Sequence, residues 1–287
     1  MFIFNFFFLY KFITMSKEIE AQVLFIDYDK ILTKLKDMKC EMKFDWTKFR
    51  IATFFPCLSI EKQNEMYNVI FTRVRDEGKG NVTITTKTKK KTASDGKFVN
   101  EYEISTPNTF EESKELLLAN HLTMKAYQER LRQKFIIPSR SEIKEIVFDM
   151  WPGLPMHMEI EAKTENDLNG FLDELGIDKK NIRYTNVSAI YEEILGIKAE
   201  KINNSTPELK FSSVRSALQL SGDNFDKILE QQKTYLKRFG FEELIGGRNI
   251  NRIVRKGSEK GSKKGSKKAS KKASKKASKK GSNKYNK

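Results

Sequence analysis

The feature that most constrains this chain is a tetrapeptide, Glu-Ile-Glu-Ala, that occurs twice and far apart, at Glu18-Ile19-Glu20-Ala21 and at Glu159-Ile160-Glu161-Ala162. In each copy acidic and apolar residues alternate, so an extended backbone sends the carboxylates to one face and the apolar side chains to the other. The first copy sits in the alternating run 17–26, where Gln22 joins Glu18 and Glu20 on the polar face. The second lies near the end of the part that reads as globular. Two such strands, one opening and one closing a β-rich region, suit a barrel whose first and last strands meet around a cation.

The same habit fills the interval between them. Eight candidate strands can be traced, at 17–26, within 48–59, and at 67–75, 82–89, 98–105, 126–137, 142–150 and 157–163. The turn-rich segment Asp76-Glu77-Gly78-Lys79-Gly80-Asn81 predicts an antiparallel hairpin between the third and fourth. Alternation then presents Arg73 and Arg75 together with Lys87 and Lys89, and elsewhere Glu101 with Glu103, Arg130 with Arg132, and Asp149. One such pair is what a solvated sheet face looks like. Six strands repeating it point to inward charge, which must be wet or hold a charged ligand. Acidic pairs at the two ends suit a hard divalent cation bound through oxygen, and the cationic pairs between suit a polyanion bridged by that cation. A metal-bound polyphosphate meets both requirements.

Helices are expected at 29–40, from the spacing of Ile31, Leu32, Leu35 and Met38, and from a Thr109/Glu112 capping box to about residue 124. Further helices are expected at 165–175 and 224–239. His121 reads as a half-buried helix residue rather than a ligand. Cys40 and Cys57 are the only cysteines, and without a secretory signal they suggest an intracellular, reducing compartment, cytoplasm or nucleus.

The formal charge of +16 belongs mostly to the tail. Residues 256–287 hold 14 lysines and one glutamate, which is +13 and leaves +3 for the rest. There Ser-Lys-Lys-Gly/Ala repeats with a period of four, which predicts a disordered tail making salt-sensitive, sequence-independent contact with nucleic acid or another polyanion. Residues 1–14 are apolar and aromatic apart from Asn5, Lys11 and Thr14. They fall short of the roughly 20 residues that span a bilayer. They read as an extension ahead of a start at Met15, or as a weak membrane-surface anchor, and no stable membrane insertion is expected.

The ordered set of motifs resembles the CYTH superfamily, the triphosphate tunnel metalloenzymes, over roughly 17–196. Glu18-Ile-Glu20-Ala-Gln22 is similar to its opening Glu-x-Glu-x-Lys. Arg73 and Arg75 match its Arg-x-Arg; Thr85, Lys87 and Lys89 its Lys-bearing strand; and Glu101 with Glu103 its Glu pair. Arg130-Leu-Arg132-Gln-Lys-Phe135 resembles the basic strand, and Asp149, Gly153 and Glu159-Ile-Glu161 the closing motifs. The resemblance implies an α+β fold, an eight-stranded antiparallel β-barrel tunnel with peripheral helices, that binds triphosphates with Mg²⁺ or Mn²⁺. It implies metal ligation by Glu18, Glu20, Asp149, Glu159 and Glu161, with Glu101 and Glu103 in support. Phosphate would be clamped by Arg73, Arg75, Lys87, Lys89, Arg130 and Arg132, and Glu18, Glu20 and Glu161 would carry catalysis. The implied activities are hydrolysis of inorganic triphosphate, thiamine triphosphate, a nucleoside triphosphate or an RNA 5′-triphosphate end, or cyclisation of ATP as in class IV adenylyl cyclases. Gln22 departs from the family's lysine. Losing one charge-assisted phosphate contact costs on the order of 2–3 kcal/mol, which keeps a binding-only tunnel in play unless Lys89 or Lys134 compensates. The chain thus divides into an extension at 1–14, a tunnel domain at 15–199, a small helical extension at 200–255 and the Lys-rich tail at 256–287.

Overall fold

Alternation does produce strands. The computed structural model describes residues 19–55, 67–90, 99–206 and 208–246. Its strands are β1 (Ile19–Val23), β2 (Glu41–Phe54), β3 (Tyr67–Asp76), β4 (Val82–Lys90), β5 (Val99–Thr106), β6 (Met124–Ile136), β7 (Ile143–Met150), β8 (His157–Ala162), β9 (Ile182–Arg183) and β10 (Glu208–Leu209). The helices are α1 (Tyr28–Asp37), α2 (Phe110–Ala119), α3 (Glu165–Glu174), α4 (Val187–Leu195), α5 (Val214–Leu218) and α6 (Asp223–Arg238). Glu18, Cys57, the 1–14 extension and the Lys-rich tail lie outside the described residues.

The ten strands form one sheet in the order β5-β4-β3-β2-β6-β7-β8-β1-β9, with β10 alongside β6. The two Glu-Ile-Glu-Ala strands do meet. β1 runs antiparallel to β8 with Glu20 opposite Glu161 and Gln22 opposite Glu159. The expected eight-stranded closed barrel is corrected, because the sheet has ten strands and stays open. Closure needs the outer edge of β1 to receive β5. Instead β9 pairs there, Arg183 and Ile182 facing Gln22 and Val23.

Tertiary pairing also moved element ends. β2 begins at Glu41 rather than near 48, because its first half continues the ladder along β6 as far as Ile136. The capping box forms as expected, with Thr109 Oγ1 accepting from Glu112 N at 3.2 Å and Glu112 Oε2 accepting from Thr109 N at 2.8 Å. α2 nevertheless ends at Ala119, since Met124 is already paired with Phe54. His121 therefore lies beyond the helix and is exposed, with a positive φ of 63°.

Helices cover one face of the sheet. Val23, Leu131, Phe148, Met158 and Ile160 pack with Tyr28, Ile31 and Leu35 of α1, Leu168 and Phe171 of α3, and Leu236 of α6. Across β2, β3 and β4 the same face packs Ala52, Phe54, Val74 and Val82 against Phe110 of α2. Residues 208–246 belong to the same compact unit as the sheet. Among the described residues no helix is long and apolar enough to cross a membrane.

Phe148 is fully buried between Tyr28 and Phe135, at ring distances of 4.9 and 5.9 Å. Phe148→Ala is expected to cost about 3–5 kcal/mol, and Thr109→Ala about 1 kcal/mol, both read from urea unfolding. A loss below about 1 kcal/mol for Phe148→Ala would mean that this layer is not the core.

Candidate functional site

Register gathers the charged pairs on the face opposite the one that α1, α2 and α3 cover, where Ile51, opposite Arg75, meets the cluster that α4, α5 and α6 form with Trp151. Lys87 faces Glu101 and Thr85 faces Glu103 across β4 and β5. Arg73 and Arg75 face Thr85 and Thr83 across β3 and β4. Phe49 of β2 stands opposite Arg130, and Arg132 opposite Asp149. Asp149, Val147 and Glu145 then face His157, Glu159 and Glu161, which lead on to Gln22 and Glu20. The called residues on β1, β3, β4, β5, β6, β7 and β8 thus share one face. Lys89 holds a ladder position opposite Asn68, and its side chain lies outside the described residues.

This face is not a solvated surface. Arg130 and Arg132 are 8% and 9% exposed, Asp149 1% and Gln22 2%. Buried charge of this kind has to be paired, and most of it is. Arg132 forks onto Asp149, with Nε at 2.7 Å from Oδ1 and Nη2 at 2.5 Å from Oδ2, and also reaches Glu159 at 3.2 Å. Arg73 meets Glu101 at 3.1 Å, which Lys87 shares at 2.9 Å. Arg75 meets Glu77 at 2.8 Å and Glu103 at 3.2 Å. Lys134 pairs with Glu145, and Lys144 reaches Glu161 at 2.6 Å. Lys134 is thus already engaged elsewhere and does not replace the charge absent at Gln22.

The exceptions define the site. Arg75 Nε, Arg130 Nε, Thr83 Oγ1 and Gln22 Oε1 are buried on this face without a hydrogen-bond partner, as are Thr88 Oγ1 and Ser113 Oγ on the side that α2 covers. Leaving such groups unmet costs about 1–3 kcal/mol each. Three of the four on this face can donate, so an incoming anion would satisfy them. Arg130 is the most exposed to this deficit. Its guanidinium lies 4.9 Å from the centre of the Phe49 ring and 5.5 Å from that of Trp151, with Asp149 at 3.5 Å. Burial, followed by the neighbouring Arg132, lowers its pKa to about 9. Guanidinium stays protonated at neutral pH, so that shift describes an under-compensated buried cation.

Around Asp149 the balance runs the other way. Burial raises its pKa, but the Arg132 and Arg130 guanidiniums outweigh burial and hold it at about 2. Arg132 shifts the opposite way: burial lowers its pKa, but Asp149 and Glu159 outweigh burial and raise it. His157, fully buried beside Asp149, is lowered because burial disfavours its imidazolium more than Asp149 favours it. Its Nδ1 lies 3.2 Å from Pro155 O.

A divalent cation would find oxygen donors at the β1–β8 end. Glu20 and Glu161 oppose each other directly, a like-charge pairing that a cation would offset. Mg²⁺ commonly takes one or two carboxylates and completes its shell with water and phosphate oxygens, so this donor set fits. Among the described residues no three His, Cys, Asp or Glu side chains are gathered closely enough to hold an ion by themselves. Gln22 Nε2 donates to Glu159 Oε2 at 2.6 Å, so at this position a neutral contact takes the place of an ion pair.

Sequence reasoning passed over Glu145, His157, Phe49 and Trp151. Glu145 and His157 were legible as alternation partners of Asp149 and Glu159. The aromatic pair around Arg130 depends on tertiary placement.

No family model matches the chain, and no curated protein does. Among solved structures it is similar to a candidate adenylate cyclase from Vibrio parahaemolyticus, with a TM-score of 0.45 and 13% identity over 62% of this chain and 99% of that one. The PH1819 protein of Pyrococcus horikoshii gives 0.41 and 19% over 62% and 99%. A candidate adenylyl cyclase from Hippeastrum, described as having a dominant triphosphatase activity, gives 0.37 and 14% over 61% and 94%.

The titrations have one sign. Asp149 and His157 both have folded pKa values below their unfolded ones, so stability is complete above the unfolded values and falls with pH. Unfolding free energy should begin to drop below the ordinary histidine value of 6.5 and drop again between about 3.8 and about 2. Urea unfolding across pH tests this, and His157→Leu should remove the first phase. Asp149→Asn, which strands two buried guanidiniums, should cost about 3–5 kcal/mol.

Proposed function

We propose that this chain is a member of the CYTH superfamily whose charged sheet face binds a triphosphate, and that it is a divalent-metal-dependent triphosphatase. The observation that carries the reading is the set of buried donors lacking partners, Arg75 Nε, Arg130 Nε and Thr83 Oγ1, on the face that also bears Arg73, Lys87 and Arg132. An anion with oxygens distributed along its length can meet several of these at once, which a single carboxylate cannot. The ordered motifs from Glu18 to Glu161 support the same family reading.

In this account Arg75, Arg130 and Thr83 take non-bridging phosphate oxygens, and Arg73, Lys87 and Arg132 exchange part of their carboxylate contacts for phosphate. Arg suits this through its forked donors. Glu20, Glu159 and Glu161, with Glu18, would hold Mg²⁺ or Mn²⁺, which when bound would supply neutralisation of phosphate charge. A carboxylate at that end, Glu20 or Glu161, orients water and accepts its proton as the oxygen attacks the terminal phosphorus and the bridging P–O bond breaks. Most of the rate enhancement is then positioning and charge stabilisation. The Lys-rich composition of 256–287 tilts the substrate choice slightly toward an RNA 5′-triphosphate end.

One observation favours a second reading. Gln22 gives its amide to Glu159, so position 22 adds no cation to the acidic end, where Arg132 and Lys144 are already paired with Glu159 and Glu161. A sheet face that binds triphosphate without turning it over would have this composition.

Phosphate release by the full chain on inorganic triphosphate, ATP and triphosphate-ended RNA, with and without Mg²⁺ or Mn²⁺, separates the two. The hydrolase reading expects metal-dependent release that Glu159→Ala/Glu161→Ala abolishes, and Arg75→Ala is expected to weaken triphosphate binding about 10- to 100-fold. Binding without release of phosphate from any of the three substrates leaves the binding module. Appearance of cyclic AMP from ATP would instead identify a cyclase.

A further inference from the structure

The helices after residue 206 carry no catalytic motif, yet they are built into the edge of the proposed anion site. β7 pairs with β6 over Leu131–Phe135, and beyond that β10 takes its place, with Glu208 and Leu209 beside Tyr127 and Gln128. Phe211 N then donates to the buried Glu129 carboxylate at 3.3 Å. Arg130 lies between these two pairings.

From there the chain reaches the turn that follows Asp149. Gln232 of α6 is buried, and its single amide meets three backbone groups of that turn. Nε2 donates to Trp151 O at 2.5 Å and Leu154 O at 2.6 Å, while Oε1 accepts from Gly153 N at 3.0 Å. Tyr191 adds a hydroxyl donated to Pro152 O at 2.6 Å. Gly153 has a φ of +82°, and a Cβ there would stand 3.0 Å from Val214 and 3.1 Å from Phe225, so α5 and α6 press directly on the turn. The turn in its own right carries Trp151, whose ring covers the Arg130 guanidinium.

We propose that Gln232 is a positioning residue for the anion site: by fixing the 151–154 turn it holds Trp151 over Arg130 and keeps the buried Arg130 Nε aimed at its ligand. The proposal rests on the reading of this face as an anion site. A glutamine suits the task because one planar amide supplies both the donors and the acceptor that the turn requires. The segment 208–246 thereby acts as an internal brace for the substrate site.

The test uses the full chain and inorganic triphosphate with Mg²⁺, titrated by calorimetry into wild type, Gln232→Leu and Leu236→Ala. Leu236 lies one turn further along the same helix but packs in the cluster with α1 and α3, whereas Trp151 and Leu154 belong to the other cluster. Emission of Trp151, read in a Trp46→Phe background, reports the turn, as the chain has two tryptophans. Gln232→Leu should weaken triphosphate binding tenfold or more and remove the ligand-induced change in Trp151 emission. Leu236→Ala should lower the unfolding midpoint yet bind within twofold of wild type. Should Gln232→Leu fail to fold, Phe225→Leu loosens the same contact and should weaken binding about threefold. Wild-type binding with an unchanged Gln232→Leu affinity, or with an equal loss in Leu236→Ala, overturns the positioning role alone. A wild-type chain that does not bind triphosphate overturns the anion site and the brace together.

Discussion

The forked ion pair between Arg132 and Asp149 is the contact on which the rest of this sheet depends. It joins β6 to β7 at a directly opposed pair, and each partner is buried. Two charges out of water are expensive, and their attraction compensates only when the geometry is good and the remaining lone pairs are met. Here the remaining lone pairs recruit Arg130, and the remaining donor of Arg132 recruits Glu159. Register on both sides is fixed as a result, since a one-residue slip of β7 would turn Asp149 into the helix-covered core and bring Phe148 or Met150 against the guanidiniums.

From that anchor the face extends as alternating charge. Carboxylates at the β4–β5 side neutralise Arg73, Arg75 and Lys87, while lysines at the β7–β8 side neutralise Glu145 and Glu161. Without a ligand, the sheet thus carries inward cations at tolerable cost, because each has an internal carboxylate. A phosphate chain must displace some of those carboxylates, and a divalent cation offers them a new partner. The two ligands therefore support each other's binding through the charge they exchange. The donors left unmet at Arg75, Thr83 and Arg130 are the part of the face that no internal group satisfies.

Much of this was legible as pattern. Period-two alternation placed Glu20, Arg73, Arg75, Lys87, Glu101, Glu103, Arg130, Arg132, Asp149, Glu159 and Glu161 on a common face, and the twin Glu-Ile-Glu-Ala strands are neighbours. Closure was not legible, because it depends on which strand edges remain available: the two-residue β9, too short to leave a periodic signal, takes the outer edge of β1. The early start of β2 was legible in the alternation of Met42, Phe44 and Trp46 with Glu41, Lys43 and Asp45, a pattern that sequence reasoning passed over. Gln22 read as a missing cation, and its role as a donor to Glu159 emerges only from the β1–β8 register. Gln232 gave no signal at all, since a buried glutamine that serves backbone groups has neither periodicity nor a motif.

The most direct test of the central claim is a crystal structure of the chain with Mn²⁺ and a non-hydrolysable triphosphate analogue. The account predicts phosphate oxygens within hydrogen-bond distance of Arg75 Nε and Arg130 Nε, and anomalous signal from Mn²⁺ beside Glu161. Triphosphate bound on the side that α1, α2 and α3 cover, or a sheet face whose Arg75 and Arg130 contacts are unchanged by saturating ligand, would contradict it.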